Sequence, residues 1–453
     1  MQFISLFLLF FFFFGCSSKV IEKPIETPSE LTSKVKPEIF EPKKIVVADL
    51  SVFPQYPEYY AKELAPISLN ATTQEKYESA HFRVWNIATS STAVEKIKWP
   101  FVSYNATNSY AENLQPHQQS FFDTMYENSN FDAYASLNTK AVTLTYVNMR
   151  LFPTIRPVLR DPSKAGEGFP FDYLQNSSLH ANQPVFVSHY SKDKEWVYIF
   201  SSFASGWIKS NEIAFLQKEH IELWQKAQQV FLTHEDIALH DEEGNFLFRS
   251  KVGMMLALID EDEDSYTLLA VSSYKTSQPH FVKTKISKAY ANKEKLDFNA
   301  ENMTKIMQQV SQSNYGWGGM FEQRDCSSML RDMFAPFGIW LPRNSYAQSK
   351  VGQVITLEDL NEEEKIRTIK EKAIPFRTLL YRSGHIVLYV GVVNDEIIVF
   401  HDIWGIRTLK DGVEGRIVIG KTVFTSLKIG KEQPYFDESS EMLRNLKSMN
   451  ILF

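Results

Sequence analysis

Cysteine is nearly absent from this chain: its 453 residues contain two, Cys16 and Cys326. With an N-terminal leader discounted, Cys326 stands alone, which excludes an intramolecular disulfide framework and leaves packing as the source of stability. A basic excess is also missing. The formal charge is −6 and no dense Lys/Arg cluster interrupts the sequence, so nothing offers nucleic acid an electrostatic footprint. There is no glycine-rich phosphate loop and no Cys/His spacing suited to zinc, so neither a cofactor nor a metal is expected. The apolar stretch Phe3 to Phe14, broken by Ser5, is too short to cross a bilayer comfortably but suits the core of an export signal.

What is present centres on the lone thiol. Cys326 lies in Arg324-Asp325-Cys326-Ser327-Ser328, and the apolar residues Met329, Leu330, Met333, Phe334 and Phe337 after it form one stripe of a 3.6-residue helix. The thiol therefore falls in the first turn, where free backbone N–H groups and the helix dipole are expected to lower its pKa. The glycines and aromatics of Tyr315-Gly316-Trp317-Gly318-Gly319 precede it and allow a tight bend.

Two histidines frame a hairpin downstream. His385 opens Ser383-Gly384-His385-Ile386-Val387-Leu388-Tyr389-Val390-Gly391, and His401 closes Ile397-Ile398-Val399-Phe400-His401, with Asn394-Asp395 between them as turn formers. A loop of Val393 to Asp395 sets Val387 opposite His401 and makes His385 its diagonal neighbour on the same face. A two-residue loop sets the histidines on opposite faces. In the first register His385 is a general base for Cys326, and His401 holds its other ring nitrogen.

The segments "YGWGG", "RDCSSMLRDMFAPFGIWLPRNSYAQ", "GHIVLYVG" and "FHDIWGI" resemble the NlpC/p60-type cell-wall cysteine peptidases, in the branch with an N-terminal clasp and two bacterial SH3-like domains. The likeness in the catalytic part spans about residues 296 to 425. It implies a multidomain chain: two small all-β SH3-like barrels and an α+β, papain-like catalytic domain. It also implies a cysteine peptidase that cleaves peptidoglycan stem peptides between D-γ-glutamate and an L-diamino acid. Catalytic residues carried over by the resemblance are Cys326, His385 and His401. Substrate-binding residues carried over are Tyr315 at the oxyanion site, Trp317 on the cleft wall, Asp325 and Ser327 toward a free amine, and Arg343 and Ser345 toward carboxylates. Read without the resemblance, Asp325 is a helix cap, Arg343 a surface ion pair and Trp317 a core residue. A wall-binding adaptor with an inert papain-like domain, and an acyltransferase on the same scaffold, are the competing readings.

Gly15-Cys16-Ser17-Ser18 resembles a lipoprotein processing site, which implies a lipid on Cys16 and a periplasmic chain anchored in the outer membrane of a Gram-negative cell. The expected organisation is a signal peptide at 1–15, a polar tether at 16–45, a stabilising clasp at 46–145, SH3-like barrels at 146–217 and 218–295, the catalytic domain at 296–430, and a loosely packed polar tail at 431–453. Trp196 and Trp207 read as barrel core, Asp260 to Asp264 as a solvated hairpin loop, and Glu362 to Lys372 as a helix capped by Asn361. The partners expected are stem peptides and a membrane, with the protein a monomer.

Overall fold

The computed structural model describes residues 46–70, 72–272 and 280–453. The expected signal peptide and tether, with Cys16, lie outside them. From the N-terminus, short helices lead into two β-rich modules and then a helix-and-sheet domain.

The first module is a seven-stranded antiparallel sheet that includes Pro184–Tyr190, Trp196–Phe200 and Ser205–Lys209. It draws in Thr139–Thr143, which pairs with both Pro184–Tyr190 and Ile213–Phe215. Alternating apolar residues of these strands close on one another as a core of Val147, Val185, Val197, Ile199 and Ile208. Trp196 and Trp207 are buried with Ile97 and Tyr198 in a neighbouring cluster. The second module is a five-stranded sheet and a two-stranded ribbon over residues 229–292, and the acidic loop separates Met255–Glu261 from Ser265–Ser272. The described residues include two SH3-like modules and an α+β domain, as expected.

The segment before them threads across all three. Phe53, Tyr60 and Ala61 enter the core that holds Cys326, while Tyr77, Phe82 and Trp85 enter the core of the second module. Polar groups fix the crossing: the Asp49 carboxylate accepts the Ser426 N–H at 2.6 Å, and Gln55 brackets Phe424 through its backbone N–H and C=O.

The third domain packs Ala300–Val310 and Cys326–Phe334 on one face of a six-stranded antiparallel sheet. Every residue of Cys326–Phe334 is buried, its apolar stripe meeting Ile386, Leu388, Val390, Ile398 and Phe400. The opposite face is covered by Glu362–Lys372, through Ile369, with Asn361 accepting the Glu364 N–H as its cap. The tail is no loose appendage: Ser448–Ile451 inserts between Gln353–Thr356 and Thr378–Arg382 as an interior strand. Met442, Leu443, Leu446 and Met449 are buried in the same layer as Ile369. Their apolar surface, sparse among polar neighbours, outweighs the composition of the segment.

Candidate active site

Asp325 begins the site. Its carboxylate accepts the Ser327 and Ser328 N–H groups as N-cap, and the Ser328 hydroxyl accepts the Asp325 N–H, a reciprocal box that starts the helix at Cys326. The same carboxylate is gripped at both oxygens by Arg343, at 3.0 and 2.7 Å. Arg343 also donates to the hydroxyls of Ser327 and of Ser177 from the first module. Arg343 is buried, so the expected surface ion pair is an interior one that ties the helix start to the neighbouring barrel. Burial pushes Asp325 up, but the Arg343 charge and the cap hydrogen bonds outweigh it and leave the acid below its usual range.

Cys326 is the first helical residue and is 7% exposed. The Ile386 N–H favours the ionised form of its sulfur. The thiol does not behave as its place in the helix suggests. Burial first, and the Asp325 charge second, push it up to about 12. A cap carboxylate beside the sulfur and the loss of water cancel what the helix terminus offers. The resting site therefore holds a neutral thiol.

The histidines come together by a route the sequence did not suggest. The loop has two residues, Asn394 and Asp395, both at positive φ (50° and 66°), and Val393 pairs with Glu396. Alone, that register separates the histidines. A bulge at Val390 then shifts the pairing by one, from Gly391↔Ile398 to Tyr389↔Val399 and Leu388↔Phe400. Beyond it His385 and His401 share a face, with His385 Nε2 2.9 Å from His401 Nδ1.

A third group orders the protons. The Thr425 hydroxyl donates to Ser426 O, so its oxygen accepts from His401 Nε2–H at 2.9 Å. His401 Nδ1 is then a lone pair that accepts His385 Nε2–H. This leaves His385 Nδ1 unprotonated. Burial, then Arg382, lowers His385 to about 3, and burial with His385 beside it holds His401 well below the usual range. Both rings are neutral. No hydrogen bond joins the Cys326 sulfur to His385; the N–H of the next residue, Ile386, favours the ionised sulfur.

The other expected residues lie around this centre. Tyr315 is partly exposed, its ring 5.9 Å from Trp404, and burial raises its phenol. Trp317 donates its indole N–H to Asp172 O and packs edge-on to Phe171, facing the first module. Ser327 is buried against Asp325 and Arg343. Ser345 is partly exposed at the start of Ser345–Gln348, a short helix capped by Asn344.

Sequence reasoning passed over three residues here. Thr425 was one and Arg382, which pairs across the Ser383-Gly384 turn with His385, was another. The third is Asp402. It is fully buried, neither of its oxygens has a hydrogen-bond partner among the described residues, and burial raises it well above its usual range. An acid inside the apolar run Ile397 to Trp404 was the available signal.

Family models match four stretches of the chain. They are the NLPC_P60 stabilising N-terminal domain over residues 5–134, an SH3 domain of the SH3b1 type over 157–209, an SH3 domain of the SH3b2 type over 217–263, and the NlpC/P60 family over 312–405. No curated protein matches. Among solved structures, one described as a novel NlpC/P60 endopeptidase from Photobacterium damselae subsp. piscicida has a TM-score of 0.77 at 22% identity, covering 88% of this chain and 97% of its own. An NlpC/P60 family protein from Bacillus cereus ATCC 10987 has a TM-score of 0.45 at 15% identity, covering 69% of this chain and 99% of its own. The chain thus carries, in this order, an NLPC_P60 stabilising domain, two SH3 domains and a domain of the NlpC/P60 family, which is a family of cysteine peptidases.

Proposed function

We propose that this protein is a cysteine endopeptidase that hydrolyses peptidoglycan stem peptides at the D-γ-glutamyl to L-diamino acid bond. The observation that carries the reading is the ordered chain Thr425–His401–His385, which leaves a bare Nδ1 on the residue next to Ile386, whose N–H favours the ionised Cys326 sulfur. In this reading the sulfur attacks the γ-glutamyl carbonyl carbon while its proton passes to His385 Nδ1, so charge separates only as the bond forms. The Cys326 N–H, at the first position of its helix, faces the developing oxyanion, with Tyr315 at its edge. His385 then gives its proton to the leaving amine, a thioester remains on Cys326, and water deprotonated by His385 releases the γ-glutamyl product.

The pairing of Asp325 with Arg343 supports a division of labour. Asp325, with Ser327, anchors the helix start, and Arg343 balances the acid, while Ser345 and Trp317 border the space in which the peptide would lie. Purified muropeptides incubated with the protein and with its Cys326→Ala variant, followed by mass measurement of the products, test the reading. Cleavage by the wild type alone at the γ-glutamyl bond is expected. Equal cleavage by both proteins removes Cys326 from the mechanism.

A further inference from the structure

We propose that a groove beside His385, headed by Arg382 and Arg416, binds a carboxylate on the leaving half of the substrate. The proposal rests on the peptidase reading above and extends it to a subsite. The groove measures about 300 Å³ and is walled by Trp404, Ile406, Phe436 and Met442.

Its charge is unbalanced. Arg382 donates to Ser440 O at 2.8 Å, Arg416 reaches Glu167 O at 3.4 Å, and neither forms an ion pair among the described residues. The third arginine of the groove, Arg407, is bound by Glu414 and Asp437. Of the acids nearby, Glu414 and Asp437 pair with Arg407, and the Glu167 carboxylate accepts the Tyr173 hydroxyl and pairs with neither arginine. Burial lowers Arg382 from its ordinary value with no acid opposing it, the signature of a guanidinium facing no anion of its own chain. A guanidinium that is partly buried and unpaired is suited to a carboxylate, which it binds through two parallel N–H donors.

The position decides which half of the substrate is held. His385 must stand next to the nitrogen to which it returns the proton, so the residue carrying that nitrogen lies beyond His385. Arg382 is the cross-strand partner of His385, and Trp404, on the groove wall, stands beside Tyr315 at the cleft. A diamino acid placed there sets its α-carboxylate against the two arginines and its aliphatic chain along Trp404 and Ile406.

The probes are the tripeptide L-Ala-γ-D-Glu-L-Lys and its C-terminal carboxamide. Wild-type protein is expected to show a KM for the free acid on the order of tenfold below that for the amide. Arg382→Gln and Arg416→Gln together are expected to erase that difference by raising KM for the acid to that for the amide. Arg382→Lys is expected to restore part of it, which a merely structural arginine would not. Equal KM values for acid and amide in the wild type, or a preference that survives the double variant, overturn the proposal. If neither peptide is cleaved, the peptidase reading fails separately. Calorimetric binding of both peptides to the full-length protein then decides the groove: tighter binding of the acid that is lost in the double variant supports it, and equal binding overturns it.

Discussion

Replacing Thr425 by valine tests the proton order without touching a residue that meets substrate. Thr425 is fully buried, its hydroxyl proton is committed to Ser426 O, and its oxygen is the acceptor for His401 Nε2–H. Valine keeps the volume and removes the acceptor. A buried N–H left without a partner costs about 1–3 kcal/mol, so His401 gains by moving its proton to Nδ1. Two N–H groups would then face each other across the 2.9 Å contact, and His385 must shift its own proton to Nδ1 to avoid the clash. That tautomer has no base on the side of the sulfur. A tautomer penalty of this size lowers the competent fraction by about 10- to 100-fold, which should be seen in kcat on a muropeptide substrate with KM unchanged. Thr425→Ser should recover most of the loss, and the urea midpoint of the valine variant should report no more than about 2 kcal/mol of destabilisation. A valine variant with kcat within about twofold of wild type, or a serine variant as slow as valine, would refute the proton order drawn here.

Two further outcomes follow from the charges around the sulfur. Alkylation of Cys326 by iodoacetamide, followed by mass of its peptide, should accelerate about tenfold per pH unit from 7 to 10 because the thiol is pushed up to about 12; a plateau below pH 7 would instead mean a resting thiolate. Arg343→Ala strips both oxygens of Asp325 and should cost about 3–5 kcal/mol by urea unfolding at pH 7. Because Asp325 is held below its ordinary value, its contribution is complete above the unfolded value and fades as pH falls through the folded one. The gap between wild type and variant should therefore close toward low pH, and a gap independent of pH would discount the ion pair.

Local pattern carried part of the structure. The stripe from Met329 to Phe337 is visible because one face of a helix repeats every 3.6 residues and its cap is adjacent in sequence. The strand-rich modules are visible for the same kind of reason. The tail was not, since four apolar side chains among lysines, serines and asparagines give no period to read, and its strand gains its partners from residues 353–356 and 378–381. The thiol was misjudged because a helix terminus is local information, whereas burial and the Asp325–Arg343 arrangement arise from packing with the first SH3 domain.

The histidine pair shows how two local departures combine into one functional geometry. Asn394-Asp395 favours the tight turn, which taken alone sends His385 and His401 to opposite faces of the sheet. Gly391, at φ +136°, supplies the conformation that lets the strand take on one residue more than its partner. The extra residue reverses the parity of everything between it and His385, because side chains alternate with a period of two. The relay thus depends on a turn and a bulge whose effects on register cancel, and neither can be dropped alone without moving His385 Nε2 away from His401 Nδ1.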